Sequence, residues 1–264
     1  MINTLNWRSK MARFNKFLVG ACVASLSSAA MAGDWKYGIG TGITALDVDG
    51  DGGFASASGA ALDFDASLSP DEVNEYMESA FGLAGMATNG DWTITAAAGA
   101  LELEEDVDIQ GASGSGNFEI NFETVGAEVL ANYTFSRSGK STWGAIGGVR
   151  YTSQEYKGTW TGGVGSGSRS VDEDWTDAVI GLSYGYAISP TLVWSSQVDY
   201  GVGGSEGTTH ASTGISKVFG ENWLVRGYVD VKEIEFENGN RGDADWFLYD
   251  ATETKLGVAF MYLF

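Results

Sequence analysis

The chain has 264 residues with 35 acidic against 15 basic side chains, a net charge of −20, which excludes a polyanionic partner such as nucleic acid on electrostatic grounds. Its single cysteine excludes a disulfide framework, and no stretch offers the eighteen or so consecutive apolar residues of a membrane-spanning helix. Thirty-eight glycines against two prolines suit strands and tight turns.

The N-terminus has the pattern of an export signal. Arg8, Lys10, Arg13 and Lys16 precede an apolar run from Phe17 to Ala30, and Ala30-Met31-Ala32 is an A-x-A cleavage site. Residues 1–32 are therefore expected to be a signal peptide, with Met11 a second candidate start, and residues 33–264 one domain. Removing 1–32 takes away four basic and no acidic side chains, so the net charge moves from −20 to −24 and Cys22 is lost.

From there apolar residues recur with a period of two, the mark of strands. The first strand is expected over Trp35 to Leu46, with Tyr37, Ile39, Thr41 and Ile43 on one face and Gly38, Gly40 and Gly42 on the other. A long connection, Asp47 to Glu78, follows. Within it Leu68-Ser69-Pro70-Asp71-Glu72-Val73 predicts a short helix: Ser69 as N-cap, Pro70 at the first position, Glu72 completing a capping box. Ser79–Thr88 and Trp92–Leu103 form a hairpin across Asn89-Gly90, the favoured two-residue turn. Beyond a polar loop, Glu104 to Asn117, the segment Phe118–Phe135 changes apolar parity between Phe122 and Val125, which predicts a bulge or an extension above the membrane.

Trp143–Tyr151, Trp175–Ile188, Leu192–Gly201, Thr208–Phe219 and Trp223–Phe236 continue the alternation, the first two separated by a Gly/Ser loop around Gly162 to Ser168. The last strand places Leu256, Val258, Phe260, Tyr262 and Phe264 on one face. Five apolar groups on the outer face of a terminal strand suit hydrocarbon rather than water. The fold class is thus all-β: an antiparallel up-and-down transmembrane β-barrel of ten strands, with eight as the alternative, and a short helix in the first extracellular loop. Four short turns alternate with five longer connections. Short turns belong on the periplasmic side, so both termini are expected there, in the outer membrane of a Gram-negative bacterium. Trp35, Trp92, Trp143, Trp194 and Trp223 recur near strand ends, as in interfacial aromatic belts.

Three constellations could carry chemistry. Asp47, Asp49 and Asp51, followed by Gly52, form the first half of a calcium loop, but Ser58 stands where a bidentate Glu belongs, and an acidic surface loop is the favoured reading. On the inward parity lie Glu128, Arg150, Asp177, Asp199, Arg226, Asp230, Lys232, Glu253 and Lys255, a charge network that must pair or hydrate in a narrow lumen. His210 and Ser212 share a strand face, a base and nucleophile without a third group and with lumen parity. Acids concentrate in the outer connections. That field draws cations, so Ca²⁺ or Mg²⁺ bridging to lipopolysaccharide is a candidate alongside merely solvated loops; no other cofactor is expected.

The C-terminal strand resembles the signal by which outer-membrane barrels are recognised by the barrel assembly machinery. Trp175-Thr-Asp-Ala-Val-Ile-Gly181, Asp199-Tyr-Gly-Val-Gly-Gly-Ser205 and Trp223-Leu-Val-Arg-Gly-Tyr228 resemble, in order and spacing, segments of a broad group of proteobacterial outer-membrane β-barrel proteins, mostly uncharacterised. Ala178, Ser183 and Val229 depart from that group's Asp-Pro pair and arginines. The His210-Ala-Ser212 spacing is similar to that of outer-membrane phospholipase and lipid A deacylase barrels, whereas the His and paired acids of omptin-like proteases are not matched. The resemblance implies fold and location in outer-membrane lipid, and no activity. The expected role is non-enzymatic, structural or surface-interacting, with an occluded lumen; the alternatives are a narrow cation-preferring channel and a lipid-acting hydrolase.

Overall fold

The computed structural model describes residues 35–264 apart from 56–60, 112–113, 163–164 and 244. The export-signal expectation, Arg8 to Ala32, lies outside the described residues. Eleven strands form one antiparallel sheet: β1 (Lys36–Ala55), β2 (Ala61–Asp65), β3 (Met77–Thr88), β4 (Trp92–Gly111), β5 (Gly114–Ser138), β6 (Ser141–Gly162), β7 (Gly165–Ser189), β8 (Leu192–Val202), β9 (Gly207–Phe219), β10 (Trp223–Asn238) and β11 (Phe247–Leu263). Helix α1 (Pro70–Tyr76) lies between β2 and β3. Each wall strand pairs with its sequence neighbour, and β1 pairs with β11 from Gly38↔Leu263 to Phe54↔Phe247, which closes the ring. Ten strands make the wall; β2 only pairs back on the upper end of β1, Asp51↔Asp65 to Ala55↔Ala61. Closure leaves no exposed sheet edge along the β1–β11 seam.

The outer face carries the predicted alternation. Ile39, Ile43, Val129, Val149, Ile180, Leu182, Val198, Ile215, Val229, Leu256, Val258 and Phe260 are all exposed, an apolar band that water does not stabilise and lipid does. At the short-turn end aromatic rings meet across strands: Trp92 and Tyr133 with centroids 4.8 Å apart, Trp143 and Tyr184 4.9 Å, Trp223 and Tyr262 5.3 Å, Tyr37 and Phe264 6.1 Å. The girdle and the start of β1 and end of β11 share that end. Its turns are tight, with Gly90, Gly139 and Gly220 at positive φ where a side chain would be strained.

The far end departs from the sequence expectation. The shortest wall strand, β8, has 11 residues, enough to cross hydrocarbon, whereas β5 and β7 have 25 each. That excess is on the order of 45 Å of extended chain at about 3.3 Å per residue. The described residues of the expected polar loop Glu104–Asn117 belong to upper β4 and β5, and Gly165 to Ser168 of the Gly/Ser loop are the start of β7. No bulge separates Phe122 from Val125: the β4–β5 register runs unbroken from Trp92↔Tyr133 to Gly111↔Gly114. The parity changes because Val125 faces out while Phe122, higher up, packs inward against Tyr156. The start of the expected first loop is likewise strand, since β1 continues to Ala55.

Helix α1 begins as expected. Ser69 Oγ accepts from Glu72 N (3.4 Å) and Glu72 Oε2 accepts from Ser69 N (2.8 Å), the reciprocal capping box, with Pro70 at the first position. Val73 is its one buried residue, and Leu68, just before it, bridges Val48 of β1. This insert lies where the wall is thinnest. β1 pairs with β3 only from Lys36↔Thr88 to Gly40↔Ala84, and above that the two strands part, joined by Thr41 Oγ1 donating to the Gly82 carbonyl (2.7 Å).

Candidate functional site: the filled lumen

Inward side chains stack in three layers. Nearest the short-turn end, Leu130, Ile146 and Val179 form a buried apolar cluster. Above it lies the charged layer. Arg150 on β6 donates from Nε to Glu128 Oε2 (3.1 Å) on β5 and from Nη2 to Asp199 Oδ1 (3.0 Å) on β8. The other Asp199 oxygen lies 2.8 Å from His210 Nδ1, and Gln197 Nε2 donates to it at 3.4 Å. Across the lumen, Glu253 Oε2 pairs with Lys255 Nζ at 2.8 Å and Lys232 Nζ at 3.6 Å. Burial makes such pairing obligatory, because an unpaired charge would carry its full desolvation cost. Six charged side chains of this layer, among them Asp230, and the His210 imidazole face a cavity of about 210 Å³.

Two expected members behave differently. Asp177 stands opposite Arg150 in the register, yet its carboxylate turns upward. It accepts from Gly204 N (3.1 Å), Ser205 N (2.9 Å), Ser205 Oγ (2.8 Å) and Thr208 Oγ1 (3.1 Å), and so pins the β8–β9 connection. Four donors satisfy it without a cation. Arg226 donates to the Ser195 hydroxyl at 2.7 Å and the Ser212 hydroxyl at 3.3 Å. Two buried polar atoms, Arg150 Nη1 and Gln154 Oε1, have no hydrogen-bond partner among the described residues.

The third layer, missed from sequence, is aromatic. Trp175 stacks on Phe236 (4.2 Å), Phe236 meets Phe247 (5.9 Å), Phe247 meets Tyr156 (5.7 Å), Tyr156 meets Phe64 (5.4 Å) and Phe64 meets Phe54 (5.9 Å). This chain of rings passes from β7 to β1 across the lumen, with Phe247 fully buried. Nothing in the alternation marks it, because its rings lie on the inward parity among outward acids, and Phe54, Phe64 and Tyr156 fall outside the expected strands.

His210 and Ser212 face the lumen, as parity predicts. Asp199 is a third group of the kind that orients an imidazole in hydrolases, while the Ser212 hydroxyl accepts from Arg226. Asp47, Asp49 and Asp51 occupy strand β1, alternating along its outward face; the turning geometry expected of a calcium loop is absent there. Ser67 Oγ donates to Asp49 at 3.4 Å. Among the described residues no three His, Cys, Asp or Glu side chains converge to hold a metal ion. Acids on the outward parity line up across strands: Glu102↔Glu123↔Glu155↔Asp172 on β4 to β7, of which Glu102 and Glu123 are buried, and Asp65↔Asp51↔Asp250↔Glu235 on β2, β1, β11 and β10. Like charges directly opposite repel, so these rows concentrate negative potential just above the apolar band.

The topology, the closing β1–β11 pairing and the outward apolar band decide the architecture. The fold is that of an outer-membrane β-barrel. The outer-membrane protease OmpT from Escherichia coli superposes with a TM-score of 0.52 at 10% identity, over 87% of this chain and 96% of that one. The translocator domain of the autotransporter NalP from Neisseria meningitidis gives 0.44 at 12%, over 95% and 97%. OprG from Pseudomonas aeruginosa gives 0.33 at 14%, over 87% and 95%. Neither a protein-family model nor a curated protein matches the chain. The likeness is one of fold, and no helix among the described residues is long and apolar enough to cross a membrane.

Proposed function

We infer that this barrel resides in the outer membrane of a Gram-negative bacterium as a sealed, non-enzymatic wall whose role is carried by its tall extracellular end. The observation that carries the reading is the chain of rings from Trp175 to Phe54, each within 6 Å of the next, lying across the lumen above a paired charge layer and an apolar one. Rings that span a narrow lumen in this way close it to solutes, with separate cavities left in the charged layer and beneath the β2–α1 insert. Short turns and both chain ends lie toward the periplasm in this orientation. The terminal strand, whose Phe264 exchanges backbone hydrogen bonds with Tyr37 (2.9 and 3.1 Å), is the strand the assembly machinery would meet.

The acidic rows sit at the height of lipopolysaccharide phosphates. Ca²⁺ or Mg²⁺ between the two anionic surfaces would relieve both repulsions, without a converged protein site. A narrow cation-preferring path is the second reading, supported by the 210 Å³ cavity within the charged layer. Proteoliposome swelling separates them. A sealed barrel leaves vesicles in isotonic arabinose or potassium chloride unswollen, whereas swelling in potassium chloride supports the channel.

A further inference from the structure

The interior of an outer-membrane barrel is ordinarily polar, yet one side of this lumen is not. Between the charged layer and the β2–α1 insert lies a chamber of about 410 Å³, within the range of small-molecule sites. Its walls are Leu46 and Val48 of β1, Leu101 and Leu103 of β4, and Phe122 and Tyr156 of β5 and β6. Phe64 of β2 and Val73 and Tyr76 of α1 cover it, and Glu253, held by Lys255 and Lys232, lies at its floor. Barrel closure explains none of these inward apolar residues, because the wall is hydrogen-bonded without them. β2 is fixed to β1 from Asp51↔Asp65 to Ala55↔Ala61, whereas the α1 end of the insert is held by the Val48–Leu68 bridge and one buried residue, Val73.

The rim sets the charge of what can enter. Asp63, Asp65, Glu104 and Glu105 line it with Lys157, Asp63 being ion-paired to Arg241, so acids still outnumber cations there, and the rows of outward acids stand around it. That field turns anionic solutes away and leaves uncharged apolar ones unaffected. We propose that this chamber is a binding site for a small uncharged aromatic molecule, taken from the extracellular side and held between the β1 and β4–β6 walls beneath the β2–α1 lid. The inference goes beyond the sealed-barrel reading and stands whether or not the charged layer below conducts.

The test is methyl NMR on the full mature protein, labelled at Leu and Val methyls, in nanodiscs of deuterated lipid, titrated with naphthalene and in parallel with naphthalene-2-sulfonate. The expected result is saturable shifts of the Leu101, Leu103, Val48 and Val73 methyls with naphthalene, ligand contacts to those methyls, and none with the sulfonate. Leu103→Trp fills the chamber and should abolish the response; Leu101→Trp, at a less buried position, serves if that variant loses its heat-modifiable fold. Shifts confined to outward methyls such as Val229, Leu256 and Val258 would mean partition into lipid and would overturn the site. Equal response to the sulfonate would overturn the selectivity. In a parallel sample in protonated lipid, contacts from lipid chains to Leu101 and Leu103, with no naphthalene response, would make a lipid acyl chain the occupant and overturn the proposal.

Discussion

Arg150 and Asp199, 49 residues apart in sequence, meet at 3.0 Å across the intervening strand β7, and the same guanidinium reaches Glu128 on β5 at 3.1 Å. One side chain thus ties three strands of the wall through the lumen. A planar fork can do this and an ammonium cannot, because two acceptors must be met at once in fixed directions.

Replacing Arg150 by Met should therefore cost about 3–5 kcal/mol, since it leaves the buried Asp199 and the half-buried Glu128 without that counter-charge. The triple change Arg150→Met, Glu128→Gln, Asp199→Asn should recover most of that loss. Urea unfolding in lipid vesicles measures both. Equal stability of the single variant and the wild type would mean that the pair is not desolvated.

Backbone proximity sets the second expectation. A methyl at Gly40 would land on the Phe260 carbonyl oxygen and the Met261 backbone across the closing β1–β11 pairing, whereas one at Gly82 meets nothing within 4 Å. Gly40→Ala should lose roughly 1–3 kcal/mol through forced backbone movement, and Gly82→Ala should be near neutral. Midpoints of heat-modifiable migration against urea rank the two.

At α1, hydrogen bonds from Ser69 hold the Glu72 carboxyl below its ordinary range. A lowered folded value means that this contribution is complete above the unfolded range and is lost as pH falls through the depressed value. The protection factor of the Val73 amide, its exchange corrected for the intrinsic rate at each pH, should fall with acid in the wild type. In Ser69→Ala it should be low and nearly flat with pH, the cap being worth about 1 kcal/mol. An unchanged profile in that variant would remove the capping box as the helix anchor.

Glu173, on the part of β7 beyond the end of β8, shows the opposite sign. Burial raises its carboxyl, the Asn238 amide at 3.0 and 3.1 Å offsets part of this, and Asp172, Asp174 and Asp245 add to the rise. A raised folded value makes ionisation costly, so the penalty grows as pH rises through the ordinary glutamate range and is full above the raised value. Glu173→Gln should therefore stabilise the upper sheet at neutral pH and leave it unchanged in acid. Thermal melts at the two pH values decide, and a destabilised variant at neutral pH would contradict the account.

The wall was legible from sequence wherever one face is apolar and the other small or polar. Ile39, Val129, Ile180 and Val258 mark outward positions, and Asn89-Gly90 and Ser189-Pro190-Thr191 mark turns. Legibility failed above the apolar band, where β4 to β7 carry acids and glycines on one side and apolar residues on the inner one. Glu104, Glu105 and Glu155 there fell outside the expected strands, although they belong to β4 and β6, whose inner faces carry Leu103 and Tyr156. The charged layer was readable by parity but its pairing was not: Asp177 pairs with a loop backbone and Arg226 with two serines, choices set by neighbours far apart in sequence. The β2–α1 lid was half visible, through its capping box, while the chamber beneath it needed three-dimensional assembly.

The central claim is that the aromatic chain from Trp175 to Phe54 and the paired charges below it seal the lumen. Single-channel recording of refolded mature protein in planar bilayers, under a potassium chloride gradient, tests it most directly. A sealed barrel gives no steps from protein whose heat-modifiable migration shows that it is folded. Discrete, reproducible steps with a cation-selective reversal potential would contradict the account and make the charged layer a conduction path.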